Sequence, residues 1–295
     1  MKPKVSVIMN CFNGQRYMKE AIQSLLAQSY QNWELIFWDN NSNDKSVEII
    51  EEINDCRFKI FKSQNHTNLC IARNSALKRS SGNLITFLDV DDFWHPDKLS
   101  NQVQNFGPNV GASYSNYWIY NENKKSKLLF TENNLPSGDI LDLLLKNYFI
   151  GLVTLMISRE ALDAVGGKFD EDFHIIGDFD LVIKISEIFD IVGMQDAFGT
   201  FRSHDQNETK NKIKLQAEEL FLWINKIKDH HKISSSPNFK NVEDFANYLN
   251  ILGSLLQGNK KQSFDLLIRE PINIKTLKLL GALFVPTKWL LKFRT

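Results

Sequence analysis

An α/β fold on a mainly parallel sheet is what this 295-residue sequence predicts. Through the first third of the chain, short β-branched apolar runs alternate with amphipathic helical stretches, the pattern of βαβ units. Acidic residues collect where two of these runs end, at the carboxyl edge where such sheets bind ligands. From about residue 206 the strand-like runs give way to helical periodicity.

Residues 4–9 (KVSVIM) are too short for a helix and too apolar for a loop, so they read as a buried parallel strand. A helix follows, with Tyr17, Ala21, Leu25 and Gln28 on one stripe and Ile22 and Leu26 beside it. Residues 33–38 form the second strand, 44–53 the second helix, 58–61 the third strand, 71–80 the third helix and 84–88 the fourth strand. Beyond residue 110, runs at 112–119 and 127–130 predict an antiparallel insertion. Helices near 138–147 and 159–165 flank a strand at 152–157, and a helix over 178–189 precedes a strand near 196–201. The helical remainder has Ile213, Ala217, Leu220, Ile224 and Ile227 on one face and continues through 242–256 and 262–270, with 234–238 a loop. Two domains are expected, 1–205 and 206–295.

Composition narrows the functional classes. With 43% hydrophobic and 24% charged residues the chain is globular rather than disordered. Its 35 basic and 35 acidic residues cancel, which argues against nucleic acid as a partner. The cancellation hides a division: residues 206–295 carry 15 Lys+Arg and 8 Asp+Glu, leaving the rest of the chain net acidic. Cys11, Cys56 and Cys70 are odd in number and at no metal-ligand spacing, so neither disulfides nor zinc are expected and a reducing cytosol fits. The amino terminus enters a strand at once, without the pattern of a secretory signal. No uninterrupted apolar stretch reaches the roughly 18 residues of a spanning helix.

The chemistry concentrates in Asp89-Val90-Asp91-Asp92, directly after the fourth strand. In extended chain Asp89 and Asp91 share a face. Carboxylates this close repel one another, and a divalent cation is the simplest offset. Hard oxygen donors suit Mg2+ or Mn2+, with phosphate oxygens completing the shell. Asp92 also fits as a cap for a helix beginning near Pro96. Asp39 closes the second strand in the same way.

These blocks, in order, resemble the family 2 glycosyltransferases, inverting enzymes of the GT-A fold. The likeness covers roughly residues 3–205 and rests on Val5-Ser6-Val7-Ile8 with Phe12-Asn13, the helix Ala21–Tyr30, and Trp33–Ile36 leading into Asp39-Asn40-Asn41-Ser42-Asn43-Asp44. It continues through Ala72-Arg73-Asn74, Asp89–Asp92, Gly166–Glu171 and Gly177-Asp178-Phe179-Asp180-Leu181. The resemblance implies a nucleotide-sugar donor, UDP-linked by preference, and a glycan or lipid-linked glycan acceptor. It implies that Asp39 accepts from the uracil N3–H, that Phe12 and Asn13 hold the nucleoside, and that Arg73 lies near the donor. Asp89 would touch ribose or sugar, while Asp91 and Asp92 would ligate the metal or the donor sugar. Asp178 would be the general base toward the acceptor hydroxyl. Arg202 and His204 match an Arg-x-His element, with the diphosphate as a partner for both and the metal as another for His204. An ion pair with the Asp cluster is an equal reading of Arg73, and an exposed loop an equal reading of His204.

Trp94 and Tyr148 are weaker candidates for stacking on an acceptor sugar. His66 and His230-His231 read as solvated loop residues, and Lys98 as packing against the acidic loop. Four departures from the family pattern stand out. Asn10-Cys11-Phe12-Asn13 replaces Pro-x-Tyr-Asn; Asn41 and Asn68 replace glycines, and Asn tolerates positive φ. Gly177 stands where an acidic residue often precedes the base.

The tail 272–295 mixes Leu, Phe and Trp with Lys278, Lys288, Lys292 and Arg294. Three settings fit such a helix: an anionic membrane surface, a second subunit, or the catalytic domain itself. The expected place is the cytoplasm, including the inner face of its membrane. A nucleotidyltransferase on a related sheet would want a glycine-rich basic loop after the first strand, which Asn10–Arg16 does not supply. A non-catalytic binding module would not need the full set of carboxylates. A dehydrogenase would carry G-x-G-x-x-G there.

Overall fold

The computed structural model describes residues 2–286 and 289–290. These form two compact units. The first gathers the chain up to Leu141 together with Tyr148–Ser203; the second gathers Asp142–Asn147 and the chain from His204 onward. A short stretch from the middle of the chain thus joins the second unit.

The first unit is built on one mixed sheet. Strands β1 (Val5–Cys11), β2 (Trp33–Asp39), β3 (Phe58–Lys62) and β4 (Leu84–Phe87) are parallel, in the order β3-β2-β1-β4. Every residue of β1 and β2 is buried, which is why both read as continuous apolar runs rather than alternating ones. The parallel crossovers are helices α1 (Met18–Leu26), α2 (Ser46–Glu51) and α3 (Leu69–Leu77). Because β2 and β4 lie on opposite sides of β1, the chain reverses its order there. That leaves a crevice at the carboxyl ends of the strands.

Beyond β4 come the two-residue strand β5 (Phe93–Trp94) and helix α4 (Lys98–Gln102). The expected insertion is the antiparallel hairpin of β6 (Val110–Asn121) and β7 (Ser126–Leu129), pairing Trp118 with Leu129 and Asn121 with Ser126. Strand β8 (Met156–Ser158) runs antiparallel between β4 and β6. Helices α6 (Arg159–Ala164) and α7 (Gly177–Ile188) precede β9 (Asp190–Ser203), which runs parallel to β6 and antiparallel to β5. The strand expected near 196–201 is therefore 14 residues long, its pattern interrupted where the β6–β9 register shifts. Met9, Leu35, Phe37, Ile22 and Leu25 centre the core.

The second unit is helical: α5 (Leu141–Lys146, largely in this unit), α8 (Glu208–Asn211), α9 (Ile213–Lys226), α10 (His231–Ser234), α11 (Phe239–Leu256), α12 (Lys260–Leu267) and α13 (Ile274–Leu283). Ala217, Leu220, Trp223 and Ile224 form the buried face of α9, as its period predicts. Among the described residues no helix is long and apolar enough to cross a membrane. Of the tail, Lys288, Lys292 and Arg294 lie outside the described residues.

Candidate active site

The crevice is assembled from three strand ends. After β1 the chain turns through Asn13, which holds φ at 55°; after β2 it turns through Asn41 at 69°. Both sit in the left-handed region that Asn tolerates best among residues with a side chain. The two turns interlock: Asn13 N–H donates to Ser42 Oγ at 2.9 Å, Asn43 N–H to Asn13 Oδ1 at 2.9 Å, and Gly14 N–H to Ser46 Oγ at 2.8 Å. A Cβ on Gly14 would come within 2.8 Å of Val90 Cγ2, so the missing side chain lets the loop after β4 close over the first turn.

Asp39 is buried, and both its carboxylate oxygens accept from Ser42 N–H at 3.2 Å. Phe12 projects from the neighbouring turn, about half exposed, with its ring centroid 4.0 Å from that of His66. His66 Nδ1 lies 3.2 Å from the Asn40 carbonyl oxygen. His66 is, as expected, an exposed loop residue, but it is not isolated: its ring meets Phe12 and its Nδ1 the residue after Asp39.

The second half of the crevice is held by α3. Asn68 was expected at positive φ; its φ is −65°, and its side chain caps the helix by accepting from Ile71 N–H. Its Nδ2 also donates to the Glu171 carbonyl oxygen at 2.8 Å. Asn74 exchanges hydrogen bonds with the Phe169 backbone, donating at 3.0 Å and accepting at 2.8 Å. These contacts clamp the 166–171 block to α3 and bring Asp178, at the start of α7, to the same place as Arg73. Arg73 is buried, with Nη2 3.4 Å from Asp89 Oδ1 and its guanidinium 5.7 Å from the Phe169 ring centre.

Electrostatics follow from this crowding. Burial pushes the Asp178 carboxyl above the ordinary range; the Arg73 charge and backbone N–H groups at the start of α7 oppose it, and Asp89 adds to it. The half-buried Tyr148 hydroxyl donates to Asp178 Oδ2 at 3.5 Å, and burial together with that carboxylate pushes its phenol well up. Burial also raises Tyr117, with Asp92 and Asp178 both contributing, so Tyr117 lies under the influence of both carboxylates. Asp89 is raised by burial, against Arg73 and with Asp91; Asp92 is raised further, by burial and by Asp91 and Asp89. Carboxylates crowded in this way are hard oxygen donors of the kind that suit a divalent cation. Among the described residues no three His, Cys, Asp or Glu side chains form a metal cage of their own.

Several expected residues have other engagements. Asp92 is buried and its Oδ1 accepts from Arg202 N–H at 2.9 Å, so one of its two oxygens supports β9. Arg202 was expected at the donor diphosphate. Its Nε–H instead donates to the Asp91 carbonyl oxygen at 2.9 Å, its Nη2 pairs with Glu20, and its guanidinium lies 4.9 Å from the Tyr17 ring centre. Trp94 offers no stacking face: it is buried, its Nε1–H donates to the Val153 carbonyl oxygen at 2.8 Å, and Lys98 Nζ sits 4.1 Å from its ring centre. Lys98 is itself fully buried and donates to Thr86 Oγ1 at 2.9 Å, not to the acidic loop. His204 begins the second unit; its Nδ1 accepts from Gln206 N–H at 3.1 Å. Sequence reasoning passed over His66, although its place between β3 and α3 at the carboxyl edge was the available signal.

Comparison with known proteins bears on this arrangement. The family model described as "Glycosyl transferase family 2" matches residues 6–166. A UDP-Glc:α-D-GlcNAc-diphosphoundecaprenol β-1,3-glucosyltransferase of Escherichia coli is 34% identical over 174 residues, 58% of this chain and 67% of that protein. Among solved structures, residues 1–349 of TarS from S. aureus, in complex with UDP-GlcNAc, align with a TM-score of 0.64 at 15% identity, covering 95% of this chain and 80% of that one. A mannosyltransferase of Pyrobaculum calidifontis in complex with GDP-Man and Mn2+ aligns with a TM-score of 0.65 at 17% identity, covering 100% and 84%. The fold is the GT-A fold of glycosyltransferases.

Proposed function

The chain belongs to glycosyl transferase family 2 and is a glycosyltransferase, and from its crevice we propose that it transfers a sugar from a UDP-linked donor, with inversion, to a hydroxyl of a lipid-linked glycan. The observation that carries the reading is the placement of Arg73 beside Asp89 and within the field of Asp178. It sets the carboxylate loop close to Asp178, a partly buried carboxyl at the start of α7 whose affinity for a proton burial raises.

In this reading the nucleobase packs against the Phe12–His66 ring pair, and Asp39 accepts from its N3–H. The hydrogen bonds that Asp39 accepts from Ser42 N–H fix the carboxylate without using its full acceptor capacity. Asn13 shapes the turn that admits the nucleoside. Asp89, oriented by Arg73, meets the ribose or sugar hydroxyls. Asp178 then takes the proton of the acceptor hydroxyl as that oxygen forms its bond to the anomeric carbon and the bond to the diphosphate oxygen breaks. The diphosphate leaves with the electron pair. Tyr148, bonded to Asp178, holds the base and lines the approach of the acceptor.

Asp91, with the remaining oxygen of Asp92, would hold Mg2+ or Mn2+. A cation held there would supply positive charge against that of the departing diphosphate. The E. coli relative, a UDP-Glc-dependent enzyme acting on a diphosphoundecaprenol-linked sugar, supports both the uridine donor and the lipid-linked acceptor. Assembly of a cell-surface polysaccharide at the inner face of the cytoplasmic membrane is the setting this acceptor requires.

Isothermal titration of the full chain with UDP and with GDP, each with and without Mn2+, tests the reading. UDP is expected to bind more tightly with Mn2+ than without it, and more tightly than GDP. Equal affinity for the two nucleotides would remove the uridine assignment, and indifference to Mn2+ would remove the cation.

A further inference from the structure

The second unit carries an apolar surface that its own core does not use. Helix α13 buries Leu279, which packs with Ile251 of α11 and Leu267 of α12, while Leu283 is partly buried against the same cluster. On another face Ile274, Leu277, Leu280 and Phe284 are exposed, at spacings of three, three and four residues. Ile268 and Ile272, just before the helix, are exposed as well; Ile272 is 88% exposed and Phe284 84%. Single exposed hydrophobic side chains need no explanation, but six of them between residues 268 and 284 call for one. A helix that is apolar on both its core face and its outer face has a second apolar environment to meet.

The surface is held in shape. Asn273 and Thr276 form a reciprocal capping box at the start of α13. At its other end Lys260 Nζ donates to the carbonyl oxygens of Leu283 at 2.6 Å and Val285 at 3.0 Å, tying the start of α12 to the end of α13. The flanks are basic. Residues 260–295 carry eight Lys+Arg against two Asp+Glu, and Lys261, Arg269, Lys275 and Lys278 are exposed.

We propose that the outer face of α13, with Ile268 and Ile272, docks on the surface of an anionic lipid bilayer, its apolar side chains entering the headgroup–acyl boundary and its lysines and arginines meeting lipid phosphates. Charge selects this occupant: a basic rim around a shallow apolar stripe matches an anionic interface, whereas a second copy of the same face would bring like charges together. The choice of a bilayer also draws on the lipid-linked acceptor proposed above, which never leaves the membrane. Docking would let the enzyme meet that acceptor in two dimensions instead of extracting it.

Flotation of the full chain with vesicles tests this without any sugar, nucleotide or metal. The chain should float with mixed phosphatidylcholine–phosphatidylglycerol vesicles, far less with phosphatidylcholine alone, and release as salt is raised. Arg269→Glu with Lys278→Glu should weaken binding at least about tenfold, and Leu277→Ser with Phe284→Ser should abolish it. These are surface positions, so thermal unfolding and UDP binding with Mn2+ should stay as in the parent chain. Absence of binding to anionic vesicles overturns the proposal, as does binding that survives both double substitutions. A concentration-dependent dimer dispersed by Leu277→Ser with Phe284→Ser, with no vesicle binding, would assign the face to a second copy. Vesicle binding by a chain that fails to bind UDP would leave this inference standing and remove the donor reading; the converse would do the reverse.

Discussion

Arg202, near the end of β9, donates its backbone N–H to Asp92 and its Nε–H to the carbonyl oxygen of Asp91, both at 2.9 Å. One residue therefore grips two successive positions of the carboxylate loop, and its remaining charge is paired with Glu20 on α1. The rings of Tyr17, Phe93 and Tyr120 surround the guanidinium at 4.9, 5.4 and 5.5 Å. We propose that Arg202 positions the loop that bears Asp91. Replacing it with Ala should weaken Mn2+-dependent UDP binding while leaving metal-free UDP binding nearly unchanged, and should lower stability by about 1.5–3 kcal/mol. Lys should rescue little, because an ammonium cannot reproduce the planar fork. Calorimetric titration in the two conditions decides: an equal loss with and without Mn2+ would point to direct donor contact instead.

A pH prediction follows from Asp178. Its carboxyl is held above the ordinary range by burial, and Arg73 pulls it down. Below its pKa the group is protonated and cannot accept the hydroxyl proton, so kcat should fall on the acid side. Removing the Arg73 charge with Arg73→Met takes away the largest influence opposing burial, so the acid limb should move to higher pH. Asp178→Asn should lose the limb altogether, with turnover lowered about 10²–10⁴-fold and UDP binding kept. A pH–rate profile of Arg73→Met that shifts to lower pH would sink the assignment of Asp178 as base.

Much of this was legible in the sequence because its cause is local. The strands β1 and β2 are buried on both faces, which writes itself as unbroken apolar runs, and the strand ends then locate Asp39 and Asp89–Asp92. What escaped depends on partners far along the chain. Nothing near His66 announces that its ring meets Phe12. Nothing near Trp94 announces that its indole is bonded to Val153 and covered by Lys98. Arg202 looks like a ligand-facing arginine until α1 and β5 are folded around it. Asn68, read as a glycine substitute, is a helix cap because Ile71 N–H reaches its side chain.

Gly177 shows why the carboxylate that often precedes the base is missing here. A Cβ at this position would stand 2.3 Å from Cys70 Sγ and 3.4 Å from the Phe169 ring. Cys70 is fully buried on α3, so the sulfur cannot swing away into solvent. Gly177→Asp should therefore destabilise the chain by at least about 1–3 kcal/mol through overpacking, read as a lower midpoint in urea. Combining it with Cys70→Gly vacates that contact and should recover part of the loss. If Gly177→Asp alone is as stable as the parent, the packing explanation fails.

Glu34 supplies a stability prediction away from the crevice. It is buried on β2, and burial alone would raise its carboxyl. Lys4 and Lys59 each reach it at 2.7 Å, and Ser6 Oγ and Ser81 N–H donate to it at 2.7 Å. Together these outweigh burial and hold the carboxyl well below the ordinary glutamate range. A carboxyl whose folded pKa is depressed stabilises the fold at pH values above its unfolded pKa, roughly 4.3. That contribution is lost as pH falls below it toward the folded pKa. Glu34→Gln keeps the shape but leaves two ammonium groups without their counter-charge. Both lysines are partly exposed, so water relieves some of the cost, and about 2–3 kcal/mol should be lost at pH 7. Below about pH 4 the difference between the variant and the parent should shrink. Urea unfolding at pH 7 and pH 3 checks the sign: a variant whose deficit is the same at both pH values would show that the charge of Glu34 contributes nothing to the fold.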